Sequence, residues 1–267
     1  MESPNIVIIE ADDLGFGDLS CYGATAIQTS GMDRLANEGL RFTDAYCTAA
    51  TSTPSRYSLL TGMYPWSNPQ AKILPGNAAL IIDTHRITLP KMMRSAGYVT
   101  GAVGKWHLGL GDGAVDWNQP IYPGAKEVGY DYSFIQAATN DRVPCIFIEN
   151  GKGVGLSADD PLYVNYRMNF PENRPARIIR NCYGCIRVWG MEVDRERSAA
   201  YRIPEGRQGC AMRDEDMAEL FLEKAKHFLQ EIRTVLSSFI VGFISLMFPG
   251  FLMNGLSGKV AWDLAGM

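Results

Sequence analysis

Residues Thr51 to Gly62, TSTPSRYSLLTG, put a serine, a proline and an arginine at the start of a helical run. Pro54 suits the first turn of a helix, Thr53 is the candidate N-cap and Gly62 the stop. Ser52 is then expected just before the helix N-terminus, where unpaired backbone N–H groups favour an anion. Arg56, one turn further in, adds a fixed charge that can bridge two oxygens of an oxyanion. Asp12 and Asp13 are adjacent carboxylates; they repel each other and ask for a cation, and their oxygens suit Ca²⁺ or Mg²⁺. Lys105 and His107, within GKWHLG, add a second cation and a proton-transfer group. Together these residues describe a metal-assisted site for a tetrahedral oxyanion ester. Each alone has a plainer reading: Ser52 as a cap, Asp12-Asp13 as a solvated turn, His107 as a structural histidine between Trp106 and Leu108. Their joint occurrence in one chain favours the chemical reading.

Elements able to position them follow from the hydrophobic pattern. Asn5 to Glu10 (NIVIIE) is a short β-branched run, read as a buried parallel strand that ends at the two aspartates. A helix is expected over Ser30–Gly39, with Ser30 as its cap, and a second strand over Leu40–Ala45. Leu89–Gly97 reads as a helix and Tyr98–Gly104 as a strand leading into Lys105-Trp106-His107. The alternation implies an α/β domain with a mostly parallel sheet flanked by helices. In such sheets ligands collect at the carboxyl ends of strands, where Asp12, Asp13 and Lys105 would lie. Asp214–Glu231 is the clearest helix, with Met217, Leu220, Phe221, Ala225, Phe228 and Leu229 on one face and acids in its first turn.

The 267 residues carry a net charge of -4, so no basic face points to a nucleic-acid partner. Six cysteines are too sparse for a disulfide scaffold, and the Cys182–Cys185 CxxC has no second pair to make a zinc set, so free thiols are expected. No basic region precedes the first apolar run, so the chain as written reads as cytoplasmic.

At these residues the sequence resembles the sulfatase family. Its signature is Cys or Ser, any residue, Pro-Ser-Arg, three residues, then Leu-Thr-Gly, and Ser52 to Gly62 match it at every specified position. NIVIIEADDLGFGDLSCYG resembles the family's opening metal-binding segment and GKWHLG its lysine-histidine segment, over about Pro4 to Gly155. The resemblance implies an alkaline-phosphatase-like α/β fold and hydrolysis of sulfate esters, of sulfated carbohydrate or aryl type. It implies that Ser52 is oxidised after translation to formylglycine by a radical-SAM maturation enzyme, and that one hydroxyl of the aldehyde hydrate attacks sulfur while the other expels sulfate. It implies Ca²⁺ (or Mg²⁺) on Asp12, Asp13 and the Ser52-derived oxygen, Arg56 steadying the hydrate, Lys105 contacting sulfate, and His107 aiding sulfate release. A periplasmic site follows if a leader has been removed. The alternatives are a related phosphoesterase, an inactive sulfatase fragment and a membrane-tethered binding protein.

The family's second half, with its PFF-x-Y and H-x-P-H segment, is not visible in the chain. Instead no charge occurs between Thr234 and Gly258, an apolar run long enough for a membrane helix. Reading Thr234–Gly250 in a shifted frame, permitted codons allow RPFFFYCGLHQPHVPR, which contains the missing segment. The chain therefore reads as an N-terminal sulfatase part over 1–231 and an aberrant, out-of-frame apolar tail over 232–267. A weaker shifted-frame match in EGRQGCAM extends that reading to 175–212. A membrane partner is not expected, because the run contains Gly242, Pro249 and Gly250 and lacks anchoring aromatics.

Overall fold

The computed structural model describes residues 4–139, 142, 144–156, 158, 161–165, 177–179, 200–203, 214–232 and 238–245. In chain order the elements are β1 (Ile6–Asp12), α1 (Ser30–Glu38), α2 (Ser52–Thr61), α3 (Leu89–Ser95), β2 (Val99–Lys105), α4 (Ala125–Val128), β3 (Tyr132–Gln136), β4 (Phe147–Glu149) and β5 (Lys152–Gly153). They continue with β6 (Tyr163–Asn165), β7 (Arg177–Ile179), β8 (Ala200–Ile203), α5 (Asp214–Ile232) and β9 (Ser238–Ser245). Two sheets form: a large one in the order β1-β9-β2-β3-β4-β5 and a small one in the order β6-β8-β7. In the large sheet β1, β9, β2 and β3 run parallel, while β4 and β5 are antiparallel. This is the expected α/β architecture with a mostly parallel sheet.

Parallel strands need cover on both faces. On one face α5 lays down the predicted stripe: Met217, Phe221, Ala225, Phe228 and Leu229 are buried, joined by Leu222, which the pattern missed. Phe228 stacks on Tyr132 with centroids 5.3 Å apart, and Phe221 meets Phe134 and Phe147 edge-on. Gly101 makes room for this packing, since a Cβ there would lie 2.7 Å from the Phe228 ring.

Three expectations need correction. Leu40–Ala45 is not a strand; it runs as irregular chain with Leu40 and Phe42 exposed. Alternating apolar residues make a strand only where a partner supplies the ladder hydrogen bonds, and none of the described residues pairs here. The N-cap of α1 is Thr29 rather than Ser30. Thr53 does not cap α2; the extended residue there is Thr51, so Ser52 is the first helical residue. Within the segment expected as a tail, Ser238–Ser245 is a strand seated between β1 and β2, pairing with both. Among the described residues no helix is long and apolar enough to cross a membrane. Cys182 and Cys185 lie outside the described residues, as does most of 175–212.

Candidate active site

β1 and β2 run parallel with only β9 between them, so their carboxyl ends open on the same side of the sheet. Asp12 ends β1 and Lys105 ends β2. The helix α2 brings its N-terminal turn to this edge. Gly62 closes that helix in the left-handed region at φ 67°, a conformation that favours glycine, and its N–H donates to the Ser58 carbonyl at 2.9 Å.

The loop after β2 is held from both sides. Trp106 N–H and His107 N–H donate to the Gln136 and Ala137 carbonyls, so pairing with the β3 chain continues past the strand. Trp106 and Leu108 are fully buried, and the Trp106 indole N–H donates to the Gly109 carbonyl at 2.8 Å. Thr53 Oγ1 donates to the His107 carbonyl at 2.7 Å, which explains why Thr53 does not cap its helix. His107 itself has φ 54°, a left-handed conformation uncommon for a non-glycine residue. The strained backbone aims its ring toward the mouth of α2.

The side chains then meet in one hydrogen-bonded circuit. Arg56, with no exposed surface, is the hub. Its Nε donates to Ser52 Oγ at 3.0 Å, Nη1 to the Lys105 carbonyl at 2.9 Å and Nη2 to Asp12 Oδ2 at 3.1 Å. Lys105 Nζ also reaches Asp12 Oδ2. His107 Nδ1 lies 3.0 Å from Ser52 Oγ, and its Nε2 lies 3.0 Å from the Leu74 carbonyl. A carbonyl only accepts, so Nε2 carries the proton and the unprotonated Nδ1 accepts from the Ser52 hydroxyl. Thus Asp12, Ser52, Arg56, Lys105 and His107, from separate parts of the sequence, are brought together, and Asp13 follows Asp12 with φ 60°.

The charges press on one another. Burial pushes His107 down to about 4, so the ring is neutral near pH 7. Burial opposes the charge on Asp12, but Lys105 and then Arg56 outweigh it and hold its carboxyl below the usual range. Asp13 is pushed up, by burial and then by the Asp12 charge. Glu10, two residues before Asp12, is pushed up chiefly by burial. Its Oε1 accepts from Ser55 Oγ at 3.4 Å, and its Oε2 is buried without a hydrogen-bond partner.

Three participants were missed by sequence reasoning: Thr53, which sits at the signature's unspecified position, the Leu74 carbonyl and Glu10. The first two leave no signal in sequence. Glu10 did leave one, because a carboxylate two residues before Asp12 in a strand shares its face.

A family model described as Sulfatase matches residues 4–145, just over half of the chain. The chain belongs to the sulfatase family. An N-acetylgalactosamine-6-O-sulfatase of Bacteroides thetaiotaomicron is 47% identical over 243 residues, covering 85% of this chain and 45% of that protein. Human arylsulfatase A is 45% identical over 111 residues, covering 40% of this chain and 22% of that one. The sulfatase therefore spans less than half the length of these curated relatives. A solved structure described as a 6S-sulf protein, from a Bacteroides thetaiotaomicron locus for metabolism of multiple glycosaminoglycans, aligns with a TM-score of 0.79 at 40% identity. It covers 99% of this chain and 57% of that one. A structure in complex with its substrate D-glucosamine-2-N,6-O-disulfate, with a TM-score of 0.54 at 22% identity, shows the shared fold alone.

The family implies a metal ion, and the donors at this site suit one in part. Two neighbouring carboxylates, one raised by burial and then by the charge of the other, are a cation-seeking pair. With the oxygen on residue 52 they supply three oxygen donors, whereas Ca²⁺ takes about six to eight. Among the described residues no group of three or more His, Cys, Asp or Glu could hold a metal ion. The site fits a hard divalent cation as one side of its shell.

Proposed function

We propose that the mature protein hydrolyses sulfate monoesters of a sulfated glycan or aryl alcohol at residue 52. The observation that carries this reading is the circuit Ser52–Arg56–Asp12–Lys105, closed on the other side of Ser52 by a neutral His107. It gathers two fixed cations and a proton acceptor around one side-chain oxygen at a helix N-terminus. Such an arrangement stabilises a transferring oxyanion group and its developing charge. The name of the Bacteroides thetaiotaomicron relative supports a sulfated sugar as the substrate class.

The geometry supports a role for each residue. Arg56 holds the oxygen of residue 52 through Nε, while its own position is fixed by the Lys105 carbonyl and Asp12. Lys105, whose ammonium pairs with Asp12 Oδ2, would meet an ester oxygen. His107, whose Nε2–H is anchored on Leu74, presents Nδ1 to take a proton from the hydroxyl at residue 52. Asp12, Asp13 and the oxygen of residue 52 would hold the divalent cation. Formylglycine derived from Ser52 by a maturation enzyme would supply a hydrated aldehyde, with a second hydroxyl that serine lacks, and the cation would neutralise charge on the ester oxygens.

Hydrolysis of aryl sulfate and aryl phosphate esters, compared on protein co-expressed with a formylglycine-generating enzyme, tests the reading. Preference for sulfate is expected, and preference for phosphate would favour the phosphoesterase alternative. A second reading is a sulfatase part that is silent without further chain, favoured by the three oxygen donors found among the described residues. An aldehyde at residue 52 without turnover of either ester would support it.

A further inference from the structure

We propose that Thr53 is a positioning residue: its hydroxyl, bound to the His107 carbonyl, holds the His107 ring against the oxygen of residue 52. The proton transfer it serves rests on the sulfate-ester reading; the positioning rests on hydrogen-bond geometry.

A non-glycine residue in the left-handed region persists only where its surroundings over-determine it. His107 is such a residue, with φ 54°. Its N–H donates to the Ala137 carbonyl at 3.0 Å, which fixes the peptide before it. With that side fixed, relaxation about φ swings the ring and the carbonyl together. Thr53 Oγ1 donates to this carbonyl at 2.7 Å and so blocks the swing. Thr53 is 0% exposed and His107 2% exposed, so bulk water does not stand in for a lost hydroxyl.

Thr53 follows Ser52 in the first turn of α2. The turn that carries the target oxygen therefore also grips the backbone of the proton acceptor. On the ring itself, Nδ1 lies 3.0 Å from Ser52 Oγ and Nε2 lies 3.0 Å from the Leu74 carbonyl. The Leu74 contact selects the nitrogen that carries the proton, and Thr53 sets where the ring stands. The family signature leaves this position open, so maturation of residue 52 does not demand a threonine here.

The test compares the full chain as wild type, as Thr53→Val, which keeps the shape and loses the hydroxyl, and as Thr53→Ser, which keeps the hydroxyl. Folding is checked by circular dichroism. Ring nitrogen–proton NMR spectra of the metal-free, unmatured proteins at about pH 7 read the three histidines, of which His85 and His227 are exposed. Wild type and Thr53→Ser are expected to show His107 locked with its proton on Nε2. Thr53→Val is expected to show a ring averaged between its two tautomers. The second measurement is aryl sulfate turnover by matured protein with Ca²⁺, counted per formylglycine found by mass spectrometry. In Thr53→Val kcat should fall roughly tenfold to a hundredfold with KM changed by less than about twofold, and Thr53→Ser should regain most of the loss. An averaged ring in wild type, or a locked one in folded Thr53→Val, overturns the proposal. So does a loosened ring with kcat unchanged. If Thr53→Val does not fold, Thr53→Ala takes its place; failure of both to fold assigns Thr53 to the fold instead and also overturns the proposal. Wild-type protein that turns over no sulfate ester counts against the sulfate-ester reading, while the ring spectra still decide whether Thr53 positions His107.

Discussion

Replacing Arg56 by Lys keeps a positive charge and removes the planar fork, which separates charge from geometry in this site. The guanidinium reaches three acceptors in different directions: Ser52 Oγ, the Lys105 carbonyl and Asp12 Oδ2. An ammonium on the shorter stem can keep the one to Asp12, where Lys105 already sits. Two hydrogen bonds from a charged donor are then lost, and the Lys105 carbonyl is left without this partner inside the protein. At about 1.5 kcal/mol or somewhat more for each such bond, Arg56→Lys should lower stability by roughly 2–4 kcal/mol. Arg56→Met, which also strips the buried charge from beside Asp12, should lower it by about 3–5 kcal/mol. Adding Asp12→Asn to Arg56→Met should recover part of that loss, because the two residues are coupled. Urea unfolding followed by circular dichroism measures wild type, Arg56→Lys, Arg56→Met, Asp12→Asn and the Arg56→Met/Asp12→Asn pair, the last three closing the cycle with wild type. Loss below about 0.5 kcal/mol for Arg56→Lys, within the range of an ordinary surface substitution, would refute the hub role. Strict additivity in the Arg56–Asp12 cycle would refute the coupling.

Further outcomes follow from the same geometry. His107 is held near 4 in the folded chain against about 6.5 when unfolded, so the unfolded state binds the extra proton first as pH falls. Stability should therefore drop by about 3 kcal/mol between pH 6.5 and 4, with His107→Gln lacking that component when unfolding is measured across the window. Asp13 is raised by burial and by Asp12, so Asp13→Asn should stabilise the metal-free protein and abolish any rise in melting temperature produced by Ca²⁺. Gly109 has φ 77°, and a Cβ there would fall 1.9 Å from the Ala79 carbonyl oxygen. Gly109→Ala should thus cost more than about 2 kcal/mol in urea unfolding and disturb the loop that carries His107.

Much of this site could be read from residue order. The apolar strand ending in two acids, the Pro-Ser-Arg helix start and the GKWHLG loop each carry a local signal, and parallel-sheet topology brings their ends to one edge. Pattern failed where the outcome depended on a distant partner. Leu40–Ala45 has strand composition, but a strand exists only with a ladder partner, and none of the described residues pairs with it. Thr53 looked like a cap because of what precedes Pro54, yet its hydroxyl went to a carbonyl 54 residues away. The anchoring of His107 on Leu74 involves a backbone oxygen, which no side-chain identity announces. Ser238–Ser245 read as part of an apolar tail, and the same β-branched and aromatic run meets the needs of a strand enclosed by parallel neighbours.

The most direct test of the account is a mass spectrum of the peptide containing residue 52, from protein expressed beside a formylglycine-generating enzyme. The account predicts a peptide lighter by two hydrogens, trapped by a carbonyl-reactive hydrazide and absent from Ser52→Ala. A peptide that keeps the full mass of serine under those conditions would contradict it.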